Sequence, residues 1–163
     1  MRSRGRAAVF AIAVVLAACG EPAISVEIPE RPKGEYVADL AHVLGTRARE
    51  VNLRLTELSS EGPDIVALTY ETEQAGCGEA YRAAREFVRE WDADIALVAV
   101  AKPGDFGSTD TDRTRCMGVQ PRDERAVSAG LREEIAETIV PPKTSKNDWA
   151  GAFLAAAEAL AER

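Results

Sequence analysis

Two hydrophobic rhythms alternate along the chain. The positions Ala48, Val51, Leu55 and Leu58 recur at spacings of three and four, the stripe of an amphipathic helix, with Thr46 placed as its N-cap and Gly62-Pro63 as its stop. Residues 64–70 (DIVALTY) form instead a short continuous apolar run, rich in β-branched side chains and bounded by turn signals, which predicts a buried strand. Helical spacing returns at Tyr81, Ala84, Val88 and Trp91 and ends near Asp92. Residues 95–101 (IALVAVA) then predict a central strand. A polar loop over 102–112 leads to residues 113–120 (RTRCMGVQ), which predict an edge strand. Two helices close the chain. One runs over 124–140, with Val127, Leu131, Ile135 and Ile139 four apart, and stops at Pro141-Pro142. The other is capped by Ser145, with Asp148 at its third position and Trp149, Phe153, Ala156 and Leu160 on one side.

Strand, helix and strand within about 40 residues make a βαβ unit, right-handed in nearly all proteins, with its two strands parallel. The fold class expected is therefore α/β: a single three-layer sandwich in which a small mixed sheet is flanked by helices.

The start of the chain belongs to a different pattern. Arg2, Arg4 and Arg6 precede an apolar stretch over 7–18, and Leu16-Ala17-Ala18-Cys19 follows. A charged head, a short apolar core and small residues before a cut describe an export signal. Twelve helical residues reach only about 18 Å, short of the roughly 30 Å of a bilayer core. Cysteine at the cut, with leucine three positions earlier, resembles the bacterial lipobox, which implies lipidation of Cys19 and cleavage before it. The reading divides the chain into a signal peptide (1–18), a lipidated flexible tether (19–34) carrying Pro22, Pro29 and Pro32, and one folded domain (35–163). An extended tether of this length would reach some 50 Å from the lipid. The expected location is extracytoplasmic, at the membrane. Gly20 rather than aspartate after the cysteine points, by resemblance to lipoprotein sorting rules, to the outer membrane where a cell has two.

Without residues 1–18 the balance is 17 Lys plus Arg against 27 Asp plus Glu, a formal charge of −10. Such a surface repels nucleic acid, which is excluded as a partner. Two cysteines remain, Cys77 and Cys116. An even pair in an oxidising compartment is a disulfide candidate, and pairing of the edge strand antiparallel to the strand before it would bring Cys116 toward the loop of Cys77. A thiol-based metal site is disfavoured by the absence of CxxC spacing and by a single histidine, His42, which reads as a packing or surface residue.

Ahead of the first helix stands Pro29-x-x-Pro32-x-Gly34-x-Tyr36-Val37-x-Asp39, followed by Val43 and Leu44. With the two apolar strands and the helix ending at Val140-Pro141, this motif resembles the TPM domain family, named for TLP18.3, Psb32 and MOLO-1, over roughly residues 28–162. The resemblance implies an exported, membrane-anchored α/β sandwich working in assembly or quality control of membrane proteins. It further implies that some members hydrolyse phosphate esters and some bind a divalent cation, Ca²⁺ or Mg²⁺. The family's glycine-rich turn before an aspartate corresponds to residues 119–124 (VQPRDE), where only Asp123 or Glu124 stands in for that aspartate.

The candidate metal ligands are accordingly Asp39, covered by the motif, and Asp123. Asp39 has a second reading, as an Asx turn that receives backbone N–H groups. The loop aspartates 105, 110 and 112 fit no EF-hand spacing and read as a solvated turn. Two functions from different classes remain. One is a lipid-tethered interaction or quality-control module with an envelope protein as partner. The other is a divalent-metal-assisted phosphatase of the TPM type, which requires the acidic residues to converge in one cleft.

Overall fold

The computed structural model describes residues 23–162; Cys19 and the leader lie outside the described residues. Four strands form one sheet in the order β1 (Val37–Asp39), β2 (Ile65–Glu71), β3 (Ile95–Ala101), β4 (Arg115–Pro121). β1, β2 and β3 are mutually parallel and β4 returns antiparallel along β3, so the sheet is mixed as expected. The helices are α1 (Ala48–Glu61), α2 (Cys77–Glu90), α3 (Ala129–Glu134), α4 (Pro141–Thr144) and α5 (Trp149–Ala161).

Period-two alternation divides the central strands between two cores. Ile65, Ala67, Ile95, Leu97 and Ala99 face α1, α3 and α5, whose Val51, Leu55, Leu131 and Phe153 are buried there. Val66, Leu68, Ala96, Val98 and Val100 face α2, against Ala80, Ala84, Phe87 and Val88. Because β2 and β3 are covered on both faces, they read as unbroken apolar runs. Each fully buried Leu, Val or Phe contributes about 1.5–3 kcal/mol of transfer free energy.

The β1–α1–β2 and β2–α2–β3 crossovers step the same way across the sheet but pass over opposite faces. They therefore have opposite hands, so one of the two is the rare left-handed crossover. The three-residue β1 was not foreseen. It is too short to carry a periodic signal and pairs only through Val37, Ala38 and Asp39.

Several expected boundaries shift for identifiable reasons. Thr46 does not cap α1; it sits inside a 3-10 turn (Gly45–Arg47) that runs into the helix. Tyr81 lies on the outer side of α2, 39% exposed, and the buried stripe is centred on Ala80, Ala84 and Phe87. The helix expected from residue 124 begins only at α3, where the Ser128 side chain accepts the Leu131 N–H. Pro141 and Pro142 do not simply end it. They carry no N–H for the carbonyls of Glu137 and Thr138, so the helix widens into a π turn (Ile135–Ile139) closed by Val140 N–H to the Ile135 carbonyl. The two prolines then open α4, whose first turn needs no donors. Ser145 ends that helix, and Asp148 caps α5 by accepting the Gly151 N–H at 2.8 Å.

The largest departure concerns the tether. From Ile24 to Arg31 the segment is docked as a strap: Ile24, Val26 and Ile28 pack against the α2 core. Ser25 donates its backbone N–H and its hydroxyl to Glu79, and the Trp91 indole N–H donates to the Pro29 carbonyl at 2.7 Å. Arg31 forks onto the Asp64 carboxylate at 2.7 and 3.0 Å, and its guanidinium lies over the Tyr36 and Trp91 rings. Residues 24–31 therefore belong to the domain and not to a free leash.

Candidate functional site

The two expected metal ligands do not meet. Asp39 ends β1 at the C-terminal side of the parallel strands, in register with Thr69. Asp123 follows β4, whose Pro121 pairs with Ile95 at the opposite end. Strand rise and spacing separate them by about 20 Å. The oxygens of Asp39 are already used. Oδ1 accepts from the Val43 N–H and the Thr69 hydroxyl, and Oδ2 from the Leu44 N–H. The carboxylate is thus the Asx-type brace of the turn that contains His42, an exposed residue at φ 55°. Asp123 pairs with Arg125, whose guanidinium holds its carboxyl below the usual range. Asp105 accepts the Thr114 N–H, and Asp110 and Asp112 are exposed. Among the described residues no group of three or more His, Cys, Asp or Glu is placed to hold a metal ion. The Ca²⁺ or Mg²⁺ site expected from Asp39 and Asp123 is not assembled by this donor set.

What the fold does bring together lies where β4 starts. Cys77, the first residue of α2, is bonded to Cys116, with Cα atoms 5.1 Å apart across 39 residues of sequence. The antiparallel register accounts for the pairing, since Cys116 stands opposite Val100 at the end of β3 nearest the α2 entry. Beside the disulfide opens a groove of about 420 Å³ between α2, the first half of β4 and the π turn and α4. Its wall is largely apolar, with Met117, Val140, Pro141 and Trp149 among the lining side chains.

Arg115 fixes the shape of this groove. One guanidinium nitrogen donates to the carbonyls of Asp105 and Phe106 and to Asn147 Oδ1 (2.7 Å), the other to the Thr144 carbonyl (2.5 Å). The group lies over the Trp149 ring, which meets Phe106 edge to face at 4.7 Å. Asn147, held at φ 58°, donates in turn to the Gly107 carbonyl. Loop 102–108, β4 and the α4–α5 connection are therefore tied to one cation. Among the described residues its hydrogen-bond partners are neutral carbonyl and amide oxygens. Burial and then the neighbouring Arg113 push the Arg115 guanidinium down, with Asp105 as the opposing negative charge. Among the described residues Arg113 likewise donates to backbone carbonyls, of Ser108 and Asp110.

The groove thus carries two cations and no carboxylate in its lining, on a domain whose overall charge is strongly negative. A second depression, about 320 Å³ between the strap and α2, mixes Arg82 and Arg85 with Glu86 and Glu90 and has no such polarity. By sequence alone residues 113–120 read only as an edge strand. The signal available was the Arg-Thr-Arg run, the reverse of the surrounding acidic bias. The strap had a signal too, in the alternation of Ile24, Val26 and Ile28.

No family model and no curated protein matches this chain. Among solved structures it is similar to the solution structure of the N-terminal domain of cg2496 from Corynebacterium glutamicum, with a TM-score of 0.53 at 13% identity over 88% of each chain. The likeness is one of fold.

Proposed function

We propose that the chain is a membrane-tethered extracytoplasmic domain of the TPM type that acts as an interaction or quality-control module for envelope proteins. The observation that carries the reading is the braced groove: a mostly apolar trough with a one-signed charge at its edge suits recognition of another chain. The disulfide supports an oxidising compartment, and no described helix is long and apolar enough to cross a membrane. This reading assigns attachment to a lipid on Cys19. Each buried methylene contributes about 0.8 kcal/mol, so two or more acyl chains hold the protein stably.

Docking of the strap sharpens the geometry of the tether. From Cys19 to the first docked residue, Ile24, the chain spans about 17 Å at most. The domain therefore works close against the membrane, where it meets the membrane-proximal parts of envelope proteins.

The test is cross-linking of the full-length protein in its native membrane. The expected result is a reproducible envelope-protein adduct together with processing at Cys19, and release of the protein from the membrane by Cys19→Ser. Normal processing of a protein that stays soluble, or no adduct at any exposed position, would contradict the reading.

A further inference from the structure

Register decides which main-chain groups of β4 are free. The Lys102 N–H donates to the Thr114 carbonyl, and the Arg122 N–H to the Asp94 carbonyl. In an antiparallel ladder bonded pairs alternate, so even-numbered β4 residues bond to β3. The main-chain N–H and C=O of Arg115 and Met117 consequently point away from β3, on the groove side of the strand. Beside them lie an apolar wall, with Met117 and Trp149, and the cations Arg113 and Arg115. Arg115 retains one Nη2 hydrogen and its Nε–H beyond the bonds that brace it. Arg113 donates from Nη1 alone.

We infer that the groove binds an extended peptide segment of a partner protein in which an apolar side chain stands next to a carboxylate. The inference rests on the interaction-module reading and names the chemistry of its partner. Three features select that occupant. The free main-chain groups match an extended backbone, as in strand addition. The trough takes an apolar side chain. Arg113 and Arg115, hydrogen-bonded to neutral oxygens among the described residues, take a carboxylate by charge-assisted hydrogen bonds, and the acidic remainder of the domain repels the same group elsewhere. The carboxylate is an Asp or Glu side chain of the segment, and a chain terminus in its place is an outcome that the test separates.

The experiment uses the full-length protein in non-ionic detergent and three fluorescent hexapeptides of alternating Val and Ser ending in Phe. One has a free C-terminal carboxylate, one a C-terminal amide, and one an amide with Glu before the Phe. Fluorescence anisotropy should show that the peptide with Glu before the Phe binds about fivefold or more tightly than the plain amide. Binding of the free-carboxylate peptide without binding of the Glu peptide would overturn the inference and make the groove a chain-terminus site. Arg113→Gln should shrink the difference between carboxylate and amide peptides. Ala136→Trp, at an exposed position on the groove wall, should weaken all three. Equal binding of the three peptides, or binding unaffected by both substitutions, would overturn the inference. So would phosphatidylglycerol vesicles whose binding is lost in Ala136→Trp while the peptides do not bind, since the groove would then be a lipid site. If no peptide binds but membrane cross-linking still yields a partner, the groove inference fails and the module reading stands. If peptides bind as expected but no envelope adduct forms, the module reading fails instead.

Discussion

Ser25 and Glu79 are joined by two hydrogen bonds, the serine backbone N–H at 2.9 Å and its hydroxyl at 2.6 Å meeting the same carboxylate oxygen. Glu79 is fully buried in the first turn of α2 and also receives the Tyr70 hydroxyl and the Arg82 guanidinium. Burial alone would raise its pKa. The bonds from Ser25, Arg82 and Tyr70 outweigh that effect and hold it below the ordinary value of 4.5. Burial and the adjacent Glu79 charge push the Tyr70 phenol up, so it stays a neutral donor.

The strap should therefore let go in acid. A carboxyl whose folded pKa is depressed adds stability above its unfolded value and loses it as the pH falls through the folded value. Limited proteolysis of residues 23–31 should show full protection at pH 7 and increasing cleavage below about pH 4.5. Ser25→Ala should weaken strap docking by about 1–2 kcal/mol at neutral pH, read as faster cleavage at unchanged global stability. Uniform protection down to pH 3 in the native protein would contradict the role given to Glu79.

Opening the Cys77–Cys116 bond should lower stability by about 2–4 kcal/mol, because it closes a loop of 39 residues that includes α2 and β3. Urea unfolding with and without reductant measures the difference. In the untreated protein both thiols should resist alkylation until reduced.

Gly118 lies beneath α2 so closely that an added Cβ would stand 3.0 Å from the Ala80 carbonyl carbon and 3.1 Å from the Tyr81 nitrogen. These are backbone atoms, so the helix itself must shift. Gly118→Ala should cost about 1–3 kcal/mol by overpacking, measured by chemical denaturation. A neutral or stabilising effect would mean that α2 sits further from β4.

Asp39→Ala removes acceptors from the Val43 and Leu44 N–H groups and from the Thr69 hydroxyl. It should lower stability by about 1–2 kcal/mol, to the same extent with and without millimolar Ca²⁺ or Mg²⁺. Thermal unfolding with each ion tests this. A cation that stabilises the native protein but not the variant, or metal-dependent turnover of a phosphate monoester lost in Asp39→Ala, would favour the phosphatase reading over the interaction module.

Much of the fold was legible in the sequence because its signals are local. β3 runs over the residues its apolar run marked, Ile95–Ala101, and the disulfide follows from antiparallel pairing that the chain order suggested. What was not legible depends on tertiary partners. Alternating apolar residues in the strap count only once α2 supplies a surface, and Glu79 looks like an ordinary helix-surface acid until Ser25 and Tyr70 close over it. Asp39 lies on a strand too short to be seen in the sequence and Asp123 just past another, and which end of the sheet each occupies is set by strand direction. The groove was hidden for the same reason. Its residues come from 77–81, 113–117 and 136–149, and no single segment carries a motif.

The claim that the domain is a tethered interaction module working through this groove is tested most directly by a photo-cross-linking residue at Ala136 in living cells, compared with one at Glu61, exposed at the end of α1. The account predicts an envelope-protein adduct from position 136 that is absent from position 61 and reduced by Arg113→Glu. Adducts of equal yield from both positions, or none from 136 in a correctly processed protein, would contradict it.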